Sequence, residues 1–351
     1  MNIYKYIILT ILCSLCLSCG EPFDMRLDDQ PIICLESFPG VEDVVVFSIV
    51  PAYSMSNTAL RPEFKPQIRF TVNGQEIPVI LNKDHCVSEK YESSCYIADY
   101  KPVPGDKLTV EVSSEGFKSV HAQTSIPQPF PERKIDYRHN EIGGSSYDMV
   151  YVTFDDDGQT DQAYGLQVLH ERIYTDVDGQ TDTSSYRYGG DQIRYDYDFA
   201  PGSMDGIRIY FNGFSVEKYS SGLSGWDDDK FNGKSATLSM TVQTSSYGNV
   251  ENPYDSFFER EYEQERFDEY GESIGVYKTL SHNKLVLYTM SEEFYKYAVA
   301  QELKDDNADF FAGLAPSNFC YTNVVDGYGV FAGVWSEETD WITREFIEDN
   351  R

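Results

Sequence analysis

Apolar residues recur along this chain mostly at every second position, in short runs closed by turn-forming residues. That period belongs to β-strands with one face buried, not to helices. Leu108, Val110 and Val112 alternate with polar neighbours across Lys107 to Val112, and Ser114-Glu115-Gly116 turns the chain into Phe117 to Ala122. Val44 to Val50 is a continuous apolar run suited to a strand covered on both faces. Asn73-Gly74 separates two runs between Gln67 and Leu81, and this dipeptide favours a type I′ hairpin turn. The turn predicts Val72 opposite Gln75, Phe70 opposite Ile77 and Ile68 opposite Val79, with Pro78 marking an edge strand.

Pro127-Gln128-Pro129-Phe130-Pro131 is a stiff, extended break, because each proline also pushes its predecessor out of helix. It divides the chain into an immunoglobulin-like β-sandwich over 31–127, of about seven strands, and a C-terminal antiparallel β domain over 132–351. Strand patterns recur in the second part: Asp148 to Phe154, Ala163 to Tyr174, Gln192 to Phe199, Gly206 to Phe211, Ser235 to Gln243 and Asn283 to Met290. They imply a sandwich or a barrel-like sheet. One helix interrupts them. Ser291 caps it, Glu292 and Glu293 suit its first turn, and Tyr295, Val299 and Leu303 share a face. The stretch Tyr254 to Tyr270 fits either a helix or an exposed strand.

The 351 residues are 41% hydrophobic and 15% aromatic, which excludes disorder and favours strands. A formal net charge of −30 repels phosphate backbones, so nucleic acid is not an expected partner. The first residues form a leader: Lys5, an apolar run from Tyr6 to Leu17, then Ser18-Cys19. The run is too short to span a bilayer, and a basic start before a short apolar stretch and a small residue marks a secretory signal over 1–18. Leu15-Cys16-Leu17-Ser18-Cys19 resembles a bacterial lipobox, with Cys19 as the lipid-attachment residue and 19–30 as an acidic tether. Of the remaining cysteines, Cys86 and Cys95 flank a polar loop and are disulfide candidates. Cys34 and Cys320 lie in apolar surroundings that suit buried thiols.

The C-terminal run Asn318-Phe319-Cys320-Tyr321-Thr322-Asn323-Val324, then Asp326-Gly327-Tyr328-Gly329-Val330-Phe331-Ala332-Gly333, resembles the end of the Bacteroidetes lipoprotein family catalogued as domain of unknown function 4249. Pro104 to Val112 and Asp228 to Lys234 carry the resemblance upstream. It implies an exported lipoprotein, anchored in the outer membrane at the cell surface or on the periplasmic face, often encoded beside TonB-dependent transporters. It supplies no catalytic residues. The glycines of Gly327 to Gly333 read as structural, permitting a tight turn before a closing strand.

Five histidines are scattered without metal-ligand spacing, and neither G-x-S-x-G nor a Walker loop occurs. Asp155-Asp156-Asp157-Gly158 and Asp176-Val177-Asp178-Gly179 lack the calcium-loop register and read as acidic hairpin turns. Tyr186, Tyr188 and Trp226 are candidate ligand-stacking aromatics. The expectation is a non-enzymatic accessory or capture component of a transporter, with no cofactor. The alternative is a stand-alone adhesin or glycan-binding module.

Overall fold

A computed structural model describes residues 31–53, 61–82, 95–142, 145–188, 203–204, 207–209, 223–229, 231–242, 258–305 and 321–350. Cys19, Cys86, Cys320 and the Gln192 to Phe199 run lie outside them. The first eight strands are β1 (Ile32–Ser37), β2 (Val45–Ala52), β3 (Gln67–Val72), β4 (Gln75–Ile77), β5 (Val79–Leu81), β6 (Cys95–Ala98), β7 (Lys107–Ser113) and β8 (Val120–Ser125). Next come β9 (Arg133–Ile142), β10 (Ser145–Asp155), β11 (Gln162–Thr175), β12 (Thr181–Tyr188), β13 (Ser203–Met204), β14 (Ile207–Ile209), β15 (Leu223–Asp227) and β16 (Ser235–Val242). The chain closes with β17 (Arg260–Phe267), β18 (Ser273–Ser291), helix α1 (Glu292–Asp305), β19 (Tyr328–Phe331), β20 (Val334–Glu338) and helix α2 (Arg344–Asp349).

The first sandwich packs sheet β19-β1-β2-β6-β5 on sheet β4-β3-β7-β8. Alternation does what the sequence foretold: Leu108, Val110 and Val112 are buried and meet Phe47, Ile33 and Leu35 of the facing sheet. Phe47 and Phe70 touch across the gap with ring centroids 5.2 Å apart. Asn73 and Gly74 both take positive φ (50° and 82°), and the register Val72 to Gln75 and Phe70 to Ile77 follows. The third expected pair does not form. Ile68 pairs with Val112, while Val79 pairs with Ala98 in the opposite sheet. The chain changes sheets at Pro78, which has no N–H to continue the ladder.

The second sandwich packs β13-β16-β10-β9 on β14-β15-β11-β18-β17, with β12 beside β11 and β20 beside β18. Both sheets are open, so the barrel-like alternative falls away. Buried Val150, Val152 and Leu238 face Tyr164, Leu166 and Leu287. The ambiguous Tyr254 to Tyr270 stretch contributes β17, a strand rich in charge that edges the sheet.

The two sandwiches do not divide cleanly at the proline break. After α1 the chain returns to the first sandwich, where β19 runs parallel to β1 and pairs Leu35 with Gly329 and Ser37 with Phe331. Gly329 has φ +119°, and a Cβ there would sit 1.9 Å from the Leu35 carbonyl oxygen. Gly333 is equally constrained, its missing Cβ falling 2.1 Å from Ser125 O. Asn323 holds the entering strand by donating to Phe331 O (2.8 Å) and accepting from Phe331 N (2.9 Å). The chain then enters β20, which pairs with β18 of the second sandwich. Residues of β19 and β20 thus join α1 in a third core, built on Tyr288, Met290, Phe294, Ala298, Val330 and Val334.

At the far end of the second sandwich, β11 and β12 form one hairpin and β17 and β18 another. Both turns are closed by an aspartate: Asp176 Oδ1 accepts from Asp178 N and Gln180 N, Asp268 Oδ1 from Tyr270 N and Glu272 N. Lys278 of β18 is paired with the last residue of β11, yet β18 begins at Ser273. The second hairpin therefore projects roughly 15 Å further. Val177 (93% exposed) and Tyr270 (83% exposed) cap the two tips.

Candidate functional site

Asp156 follows the last residue of β10, at the start of an acidic turn, and it is buried. Its Oδ2 accepts from Gly158 N (2.9 Å) and Gly233 N (2.8 Å), and its Oδ1 accepts from Tyr164 OH (2.6 Å). Because a carboxylate only accepts, the Tyr164 hydroxyl proton is committed to Asp156. Burial first, and then Asp156, push the Tyr164 phenol well above its ordinary range. The Tyr164 oxygen must then accept from Gln162 Nε2, at 2.9 Å. That fixes the amide's orientation and leaves Gln162 Oε1 without a donor among the described residues.

Gln162 begins β11 and is only 7% exposed, and Asp228, just past β15, is 5% exposed. Besides its own backbone N–H, Asp228 receives one hydrogen bond among the described residues, from Gln162 N to Oδ2 at 3.2 Å. Burial and the neighbouring charges of Asp156 and Asp161 raise its carboxyl above the usual range, against the pull of the Gln162 N–H.

Gln162 and Asp228 line a cavity of ≈ 510 Å³ between α1 and the edge of the second sandwich. Asp161, Asp227, Asp229 and Glu292 add carboxylates to its wall. The opposite wall is Tyr295, Val299, Ala300 and Tyr321. Lys296 stands at the rim, 2.5 Å from Glu292 Oε1, a contact that raises its ammonium above the ordinary lysine range. Tyr295 and Val299 belong to the helical stripe legible in the sequence. Those two line the cavity, while Phe294 and Ala298 enter the core. A second hollow of ≈ 290 Å³ shares Asp161, Gln162 and Glu292 and runs toward Lys107 and Gln128 of the first sandwich.

The residues singled out from sequence fall elsewhere. Trp226 is 4% exposed and packed in the second core, so it is corrected from a stacking platform to a core residue. Tyr186 and Tyr188 pair by backbone with His170 and Val168, and their side chains lie outside the described ones. Cys95 is buried and disulfide-bonded to a partner outside the described residues, whereas Cys34 is free. The acidic turns at Asp156, Asp157 and Asp176 are closed by their own backbone N–H groups. Among the described residues no group of three His, Cys, Asp or Glu is placed to hold a metal ion. His170 accepts from Arg172 Nε at 3.0 Å and lies 2.8 Å from Asn283 Oδ1, a structural assignment.

Two open β-sandwiches, joined by a shared C-terminal segment and carrying an acidic cavity against a helix, define a mainly β protein. The chain belongs to the family described as a domain of unknown function (DUF4249), whose family model matches residues 20–340. No curated protein matched it.

Proposed function

We propose that this protein is an outer-membrane lipoprotein, a non-enzymatic accessory or capture component that works with a TonB-dependent transporter. The observation that carries the proposal is the leader: Lys5, the apolar run to Leu17, and Ser18-Cys19, with the family match starting one residue later. The cavity supports capture, since its volume falls within the range of small-molecule sites and its walls combine apolar surface with a few buried polar atoms. The test is membrane fractionation with Cys19→Ala beside the native chain, together with mass spectrometry of the mature N-terminus. An acylated Cys19 and loss of the variant from the outer membrane support the reading. Unchanged fractionation sinks it. A transporter that copurifies from detergent-solubilised membranes supports the partnership.

A specific observation favours a second reading, a stand-alone adhesin or glycan-binding module: Val177, Phe267 and Tyr270 are exposed on the projecting hairpins. Aromatic tips of this kind suit recognition of a surface. Glycan-array binding by the full chain that disappears in Tyr270→Ser separates this reading from the first.

A further inference from the structure

The cavity beside α1 combines three independent features that point to one kind of occupant. Among the described residues its walls carry the carboxylates of Asp161, Asp227, Asp228, Asp229 and Glu292 against one ammonium, that of Lys296. Two of its polar side chains, Gln162 and Asp228, are more than nine-tenths buried and keep unused acceptor capacity. Its remaining wall is apolar and aromatic. Neither Gln162 Oε1 nor the Asp228 carboxylate is among the buried atoms that lack a partner, so both acceptors open to the cavity, where a ligand that brings N–H groups can reach them. A metal ion answers the charge but neither the geometry nor the apolar wall, because the described carboxylates do not converge in a metal-binding group. A neutral sugar answers the acceptors but not the charge.

We infer that this cavity binds a small organic ammonium ligand, whose N–H groups reach Gln162 Oε1 and the Asp228 carboxylate and whose apolar body lies against Tyr295, Val299 and Tyr321. The inference deepens the capture reading and rests on it for its biological setting. Charge-assisted hydrogen bonds to a buried carboxylate exceed neutral ones in strength, and the tyrosine faces favour a cation. Lys296 shows the same preference from within the protein, its ammonium being favoured by Glu292.

Three probes of one shape test this on the full chain in detergent by isothermal calorimetry: phenethylamine, 2-phenylethanol and 3-phenylpropionate. The amine is expected to bind at least about tenfold tighter than the alcohol, the worth of roughly one charge-assisted hydrogen bond, and the acid not at all. Asp228→Asn is expected to bring the amine down to the level of the alcohol. Ala300→Trp, which fills the cavity from the helix side, is expected to abolish amine binding with an unchanged circular-dichroism melt, and serves should Asp228→Asn fail to fold. Equal affinity for the three probes, no saturable amine binding, or amine binding that survives both substitutions overturns the inference. So does displacement of the amine by calcium at equal concentration. Fractionation of Cys19→Ala reads the anchoring proposal separately, so the failure of either is recognised without the other.

Discussion

At the scale of single residues, the chain of hydrogen bonds from Asp156 through Tyr164 to Gln162 couples a turn to a cavity. Tyr164→Phe removes the one side-chain donor that Asp156 has among the described residues, and the acceptor for Gln162, in one step. A loss of about 1–3 kcal/mol is expected from leaving buried polar atoms unpaired, measured by urea denaturation. Glu36 gives a pH signature. It lies on the outer face of β1 and accepts from Tyr297 OH of α1 at 2.6 Å. Burial raises its carboxyl above the ordinary 4.5, with the tyrosine bond opposing. A raised folded value favours the neutral acid, so its contribution to stability is full below about pH 4.5 and is lost as pH rises through the folded value. Glu36→Gln keeps an acceptor for Tyr297 and never ionises. Its melting temperature is expected to match the native chain near pH 4 and exceed it by pH 8, and a gap independent of pH contradicts this account.

At the scale of elements, β19 depends on close backbone approach. In Gly329→Ala the new methyl meets the Leu35 carbonyl, and a loss of more than about 2 kcal/mol is expected, with faster hydrogen exchange along β1. The β17–β18 hairpin is the contrary case. Phe267, Ile274 and Val276 near its end are exposed, so replacing 265–276 by Asn-Gly, which keeps Gln264 opposite Tyr277, is expected to leave the melting temperature within a few degrees. These elements also show what the sequence carried. The Asn73-Gly74 hairpin and the Ser291 cap were legible because their physics is local: positive φ at the turn, and Phe294 N donating to Ser291 Oγ. The pairing of Ile68 with Val79 was misread because period-2 alternation continues across Pro78 although the chain has left the sheet. Gln162 and Asp228 gave no signal. The acceptor of Gln162 depends on Asp156 taking the Tyr164 proton, and the setting of Asp228 on its approach to Gln162 N across distant parts of the chain, contacts that no local pattern shows.

At the scale of the whole molecule, one segment near the end of the chain serves two sandwiches. Val324 and Phe331 enter the first core, Val330 and Val334 the third, and Ile342 and Ile347 the second. Removing 321–351 is therefore expected to unfold the N-terminal sandwich along with its neighbour, and not to release a stable 31–127 fragment. Limited proteolysis of the truncated chain checks this, and a resistant N-terminal fragment would contradict it.

The parallel seating of β19 against β1 has a bearing on how the protein is made. A chain made from its N-terminus cannot complete its leading sheet until Tyr328 and the residues after it have been added, because the strand that borders β1 starts there. The fold thus delays its own closure during synthesis, leaving that side of β1 unpaired until the tail has been made. Nascent chains arrested before residue 328 are expected to remain protease-sensitive in their first hundred residues, and release of the full length to confer protection.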